Sequence, residues 1–364
     1  MEETKFFGKR ELLILGTALA TAVLILIFHS RAPAAANNIS ADAEKAFESC
    51  KELSGKEFCY ATYFRNLTTA TDWHHAFDVL HALQKLDLAA NGCHLIAHGI
   101  SRSETLKDPS KWREIMNTAP QDCSYGAAHG ALEVHAASFP DGKLPASEID
   151  TACDNPDTHN CTHILGHLLL VMNDNNIEKS LTQCGTLPHD ANGKFECLTG
   201  VFMERSTANN LVEHGLVGPE ALDWTKRLPE TLALCKEQSG TNAVACWKES
   251  VHVALVTYNN NFQKLVDMCE SAPTEEAARQ CIDHGIGVLG GTLNFDFAKT
   301  GAICDARVKA PDFKSRCYGN LVNSTLSTIP SAVPEAKLFC NSLEPQYRAT
   351  CEASIRPVQR STGD

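Results

Sequence analysis

Residues 264–291 read KLVDMCESAPTEEAARQCIDHGIGVLGG. One helix-like run ends in Cys269, the segment SAPTEEAARQ makes the connection, and a second run opens at Cys281. Residues 334–351 repeat the plan: PEAKLFC ends in Cys340, EPQYR follows, and another run begins at Cys351. Each unit therefore reads as helix A, a short connection and helix B, with a cysteine on either side of the turn.

The sixteen cysteines extend this reading along the chain. Seven pairs stand 8 to 13 residues apart: Cys50 with Cys59, Cys153 with Cys161, Cys184 with Cys197, Cys235 with Cys246, Cys269 with Cys281, Cys304 with Cys317, and Cys340 with Cys351. From Cys235 onward the first members recur every 34 to 36 residues, the period of helical-hairpin arrays. A bridge across each turn would staple the end of A to the start of B. Loops this short give roughly 2.5–3 kcal/mol per bridge in the chain-entropy account. Nine hairpins fit between residues 42 and 356. Glycines recur early in the B helices (Gly99, Gly126, Gly166, Gly200, Gly285, Gly287), which implies close approach between helices. With no alternating apolar runs, the expected fold is all-α: a disulfide-stapled helical-hairpin repeat array, or α-solenoid, behind an N-terminal transmembrane helix.

This plan resembles tetratricopeptide-like arrays, and more specifically the cysteine-rich helical-hairpin repeat proteins that bacteria secrete, in which a bridge clamps each hairpin. The resemblance covers most of residues 42–356 and is architectural. Spacing within the pairs varies, and the Trp/Leu-Gly/Tyr pattern of tetratricopeptide repeats is missing. It implies a concave groove that takes a protein or peptide partner.

Residues 12–28, LLILGTALATAVLILIF, form an uncharged apolar run near the length that spans a bilayer. Lys5, Lys9 and Arg10 precede it, so the basic side is expected in the cytoplasm and the body outside. A cleaved signal peptide, with PAAA at 33–36 as small residues for cleavage, is the other reading. The expected organisation is a cytoplasmic tail (1–10), a transmembrane signal anchor (11–29), a linker (30–41), a helical repeat ectodomain (42–356) and a flexible tail (357–364). The protein is then single-pass, bound to the membrane through its N-terminal helix, with a periplasmic, extracellular or lumenal body. Sixteen cysteines suit that compartment. A net charge of −12 with no basic patch argues against a nucleic-acid partner.

Cys93 and Cys123 break the pattern, each opening a B helix whose A helix has no cysteine. They either bridge to each other across neighbouring hairpins or remain as thiolates at a site. In the same region ten of the fifteen histidines lie between residues 74 and 167, where about four would follow from length. His94 and His98 stand four apart on one helix face, as do His163 and His167. The helix 162–172 has no charged residue, so its imidazoles are expected to be buried. His129 and Glu133 share a face with Gly126 on the helix between.

If the three B helices adjoin, His94, His98, His129, His163 and His167 supply a ligand set for zinc, copper or iron. His74, Asp78 and His81 would stand behind it, and Met203, six residues after Cys197, suits copper(I). The alternative is a set of buried rings bonded to carbonyls. Three functions follow: an extracytoplasmic binding or assembly module with a His-rich metal site, a metal-dependent enzyme with Glu133 as general base, or a protein–protein scaffold with structural histidines. HExxH, GxSxG and dinucleotide fingerprints are absent.

Overall fold

The computed structural model describes residues 38–53, 55–119, 123–153, 159–207 and 223–355. The expected anchor (11–29), the cytoplasmic tail and the residues from 357 onward lie outside the described residues. Among the described residues no helix is long and apolar enough to cross a membrane.

The described residues are helical and contain no strand. The A helices are α1 (Ile39–Cys50), α3 (Trp73–Gln84), α5 (Trp112–Thr118), α7 (Ala146–Thr151), α9 (Ile177–Thr186), α11 (Trp224–Glu237), α13 (Phe262–Cys269), α15 (Phe297–Thr300) and α17 (Val333–Ser342). The B helices are α2 (Lys56–Ala70), α4 (His94–Lys107), α6 (Gly126–Ala137), α8 (His159–Met172), α10 (Ala191–Thr207), α12 (Gly240–Thr257), α14 (Glu275–Thr292), α16 (Phe313–Thr328) and α18 (Pro345–Ala353). Among the described residues they alternate as nine hairpins, the number read from the sequence. Consecutive B helices pack against one another, and the A helices pack on their outer side.

Local sequence punctuates this order. At three B-to-A turns two residues take left-handed backbone: Asp174 and Asn175, Asn259 and Asn260, Asn294 and Phe295. Asparagine and aspartate tolerate that region better than other side chains with a Cβ. The second residue's amide returns to a carbonyl five residues back: Asn175 to Leu170 at 2.9 Å, Asn260 to Leu255 and Phe295 to Gly290 at 2.8 Å. The following Asn176, Asn261 and Asp296 then cap the next A helix through their side chains, accepting from the amides of Lys179, Lys264 and Ala298.

All sixteen cysteines are paired. Seven bridges close hairpin turns as the spacing predicts: Cys50 with Cys59, Cys153 with Cys161, Cys184 with Cys197, Cys235 with Cys246, Cys269 with Cys281, Cys304 with Cys317, and Cys340 with Cys351. Their Cα–Cα distances run from 5.3 to 5.8 Å. Most B-helix cysteines lie further inside their helices than the sequence predicts. α10, α12, α14 and α18 begin six residues before Cys197, Cys246, Cys281 and Cys351, and α16 begins four before Cys317, so much of SAPTEEAARQ and EPQYR is first helical turn and not connection. Cys59 sits one turn inside α2 and is only partly buried, and Cys304 reaches Cys317 from a 3-10 turn (Gly301–Asp305) that follows the four-residue α15. The eighth bridge joins Cys93 to Cys123 with Cα atoms 5.0 Å apart. It links the starts of α4 and α6, so the second and third hairpins are stapled to each other. The thiolate reading of these two cysteines is thereby excluded.

Glycines set the spacing of the inner layer. A Cβ on Gly166 would collide with the carbonyl of Cys197, and one on Gly200 with the carbonyl of His163, so α8 and α10 touch backbone to backbone. Gly126 and Gly130 meet the carbonyls of His94 and His98 in the same way, which joins α6 to α4. The array curls far enough for α16 to reach the turn Cys123–Tyr125 before α6. There Ser124 Oγ lies 3.4 Å from Thr328 Oγ1. The concave side becomes a chamber of about 920 Å³ lined by B-helix residues, among them His94, His129, His163, Met203, Lys248 and His284.

Two glycines of one neighbourhood test this packing. Gly200→Ala forces α10 away from α8 and should destabilise the protein by about 1–3 kcal/mol. Gly185, near the end of α9, has open space where a Cβ would stand. Gly185→Ala should be neutral or stabilising by up to about 1 kcal/mol. Urea unfolding with disulfides intact distinguishes them, and equal effects would contradict the close α8–α10 approach.

Candidate metal centre

Three of the five predicted histidines converge. His129 of α6 and His163 and His167 of α8 each offer a nitrogen, and these atoms lie within 4.8 Å of one another. His129 and His167 are 5% exposed, so the cluster is sealed from bulk water except at His163.

Residues of α10 fix how two of these rings present themselves. His167 Nδ1 donates to Glu204 Oε2 at 3.0 Å, a carboxylate that is itself buried. His163 Nδ1 lies 2.8 Å from Thr199 Oγ1, whose own hydroxyl donates to the Glu196 carbonyl at 2.7 Å. When the hydroxyl keeps that donation it accepts from His163, whose proton then sits on Nδ1. With both Nδ1 atoms donating, both Nε2 atoms present lone pairs. They face each other across 3.0 Å. Two such lone pairs repel unless a proton or a metal ion sits between them. A carboxylate behind a ligating imidazole is the usual support for a metal ligand.

Electrostatics favour the neutral rings that a metal needs. Burial, reinforced by His94 and His167, holds His129 well below the usual imidazole range. Burial and then His167 do the same to His163.

The other predicted residues take different places. His94 Nδ1 donates to the carbonyls of Cys123 and Ser124, both at 3.1 Å, while its ring packs edge-on against His129 with centroids 4.9 Å apart. Those carbonyls belong to three consecutive left-handed residues, Cys123, Ser124 and Tyr125. His98 Nε2 donates to Glu133 Oε2 at 3.0 Å in a buried pair. Glu133, the candidate base, is therefore engaged with an imidazole from the neighbouring helix. His74 and Asp78 are exposed, and His74 stacks on Trp73, so they do not stand behind the cluster. Met203 lines the chamber with His129 and His163.

A second group gathers that the histidine density did not reveal: Glu249 and His252 of α12 with His284 of α14. His252 and His284 approach Nε2 to Nε2 at 3.2 Å, and Glu249 Oε2 lies 3.4 and 3.5 Å from them. Burial alone would push Glu249 up, but the positive charge offered by His284 and Lys248 outweighs it and holds the carboxyl well below its usual range. Burial pulls His284 down against the opposing pull of Glu249. The sequence does carry a signal for this group. His252 stands six residues after Cys246, as His129 and His167 do after Cys123 and Cys161, and ESVH at 249–252 places Glu249 and His252 one turn apart.

The support from Glu204 is directly testable. Glu204→Gln keeps the shape of the side chain but weakens the acceptor behind His167. Affinity for zinc or cobalt at the three-histidine cluster should fall 10–100-fold by competition titration. Unchanged affinity would show that Glu204 does not support a ligand.

No protein-family model, curated protein or solved structure matches this chain.

Proposed function

We propose that the protein is a membrane-anchored, extracytoplasmic binding or assembly module whose disulfide-stapled array holds a transition metal at His129, His163 and His167. The observation that carries this reading is the pair of Nε2 atoms on His163 and His167, 3.0 Å apart, with both Nδ1 atoms engaged by Thr199 and Glu204. An all-imidazole set suits zinc, copper or iron, and Met203 at the chamber wall is compatible with copper(I). A bound ion of this kind supplies Lewis acidity or, for copper and iron, electron transfer. The chain's part is to orient the rings, keep them neutral and limit the approach of water to the side of His163.

The anchor is supported by the apolar run 12–28 and its Lys5/Lys9/Arg10 flank. The outside location is supported by the complete pairing of sixteen cysteines, a state that oxidising compartments maintain. In this reading a protein or peptide segment meets the site in the chamber, which the resemblance to hairpin-repeat arrays supports.

Two experiments test the proposal. Metal analysis of the chain made in an oxidising compartment should find a first-row ion, and His167→Ala should remove the ion held by this cluster. The disulfides hold the hairpins, so the variant should keep its helical circular dichroism. Wild-type protein that takes up no metal, or uptake indifferent to His167→Ala, overturns the metal reading. For topology, protease added to cells with the outer barrier opened should digest the body; full protection overturns the outside location.

A further inference from the structure

The geometry points to a second metal site of its own, formed by Glu249, His252 and His284, with a coordination position open to the chamber. Tetrahedral ligands at about 2.0–2.1 Å from an ion stand about 3.3–3.4 Å apart. The three edges here are 3.2, 3.4 and 3.5 Å. They already have the dimensions of one face of such a polyhedron.

An independent observation points to the same occupant. Glu249 is 1% exposed, yet neither carboxylate oxygen has a well-formed hydrogen bond. Burying an ionised carboxylate in this way is strongly unfavourable. Lys248 Nζ stands 3.4 Å from Oε1 and also 3.4 Å from Glu196 Oε2, so the lysine serves two carboxylates. That leaves Oε2 facing the two imidazoles. A divalent cation at the centre of the face would satisfy all three atoms at once.

The surroundings leave the fourth position open. His252 and His284 are partly exposed on the chamber side, 21% and 29% for their side chains. Gly287 and Gly291, one and two turns beyond His284, line the same wall without side chains to fill it. Two histidines and one carboxylate with an open position are the ligand set of zinc hydrolases and of non-haem ferrous sites. The expected ion is zinc or ferrous iron, and the expected exogenous ligand is water or a small oxygen donor reaching in from the chamber.

This site shares no ligand with the three-histidine cluster, so stoichiometry separates them. Metal-stripped full-length protein is titrated with Co(II), followed by its visible absorption and by elemental analysis. The wild type should take two equivalents, His167→Ala one, His284→Ala one, and the double variant none. Glu249→Gln, which keeps the side-chain volume, should also reduce uptake to one, and it carries the test if His284→Ala does not fold. Uptake unchanged by both Glu249→Gln and His284→Ala overturns the second site even where His167→Ala removes an ion. Uptake unchanged by His167→Ala but lost in the other two variants supports this site and removes the first.

Discussion

The bridged cysteine at or near the first two turns of each B helix sets the rotation of that helix about its axis. A bridge fixes it against the preceding A helix, or, for Cys93 and Cys123, against a neighbouring B helix. Glycine contacts such as Gly166 with the Cys197 carbonyl then hold consecutive B helices in one register. Equivalent positions counted from the cysteine consequently face the same way. The sixth residue after it is His129, His167, Met203 and His252 in four B helices, and His129, Met203 and His252 line the chamber while His167 joins His129 in the cluster. The polar wall is thus a product of the staples and the glycines together. Neither alone would place a nitrogen from one helix opposite a nitrogen from the next.

Most of the architecture is legible in the sequence because its determinants are local. Cysteines on either side of a short connection identify a turn, and recurrence every 34 to 36 residues identifies a repeat. The i, i+4 spacing of His163 and His167 correctly placed both rings on one face. The same spacing in His94 and His98 did not bring them into the cluster, because their partners are long-range. His94 turns toward carbonyls exposed by the left-handed residues Cys123 to Tyr125, and His98 turns toward Glu133. Left-handed backbone at three successive residues that are not glycine has no local signature in the sequence.

The second triad escaped for a different reason. A count of histidines along the chain favours the crowded segment 74–167, whereas His252 and His284 are 32 residues apart and isolated in sequence. What unites them is the packing of α12 on α14. Their relation is visible only when each is numbered from its own cysteine. Curling of the array, which brings Thr328 to Ser124, is likewise a sum of small rotations between hairpins and is written in no single segment.

The central claim is that facing imidazole nitrogens in the chamber are ligand pairs and not proton-sharing pairs. Anomalous X-ray diffraction from crystals of the protein purified with its native metal content, collected on both sides of the zinc, copper and iron absorption edges, addresses it most directly. The account predicts an anomalous peak among His129, His163 and His167, at about 2.0–2.1 Å from the ligating nitrogens. Ordered imidazoles in these positions with no peak at any edge, including after soaking with zinc, would contradict it.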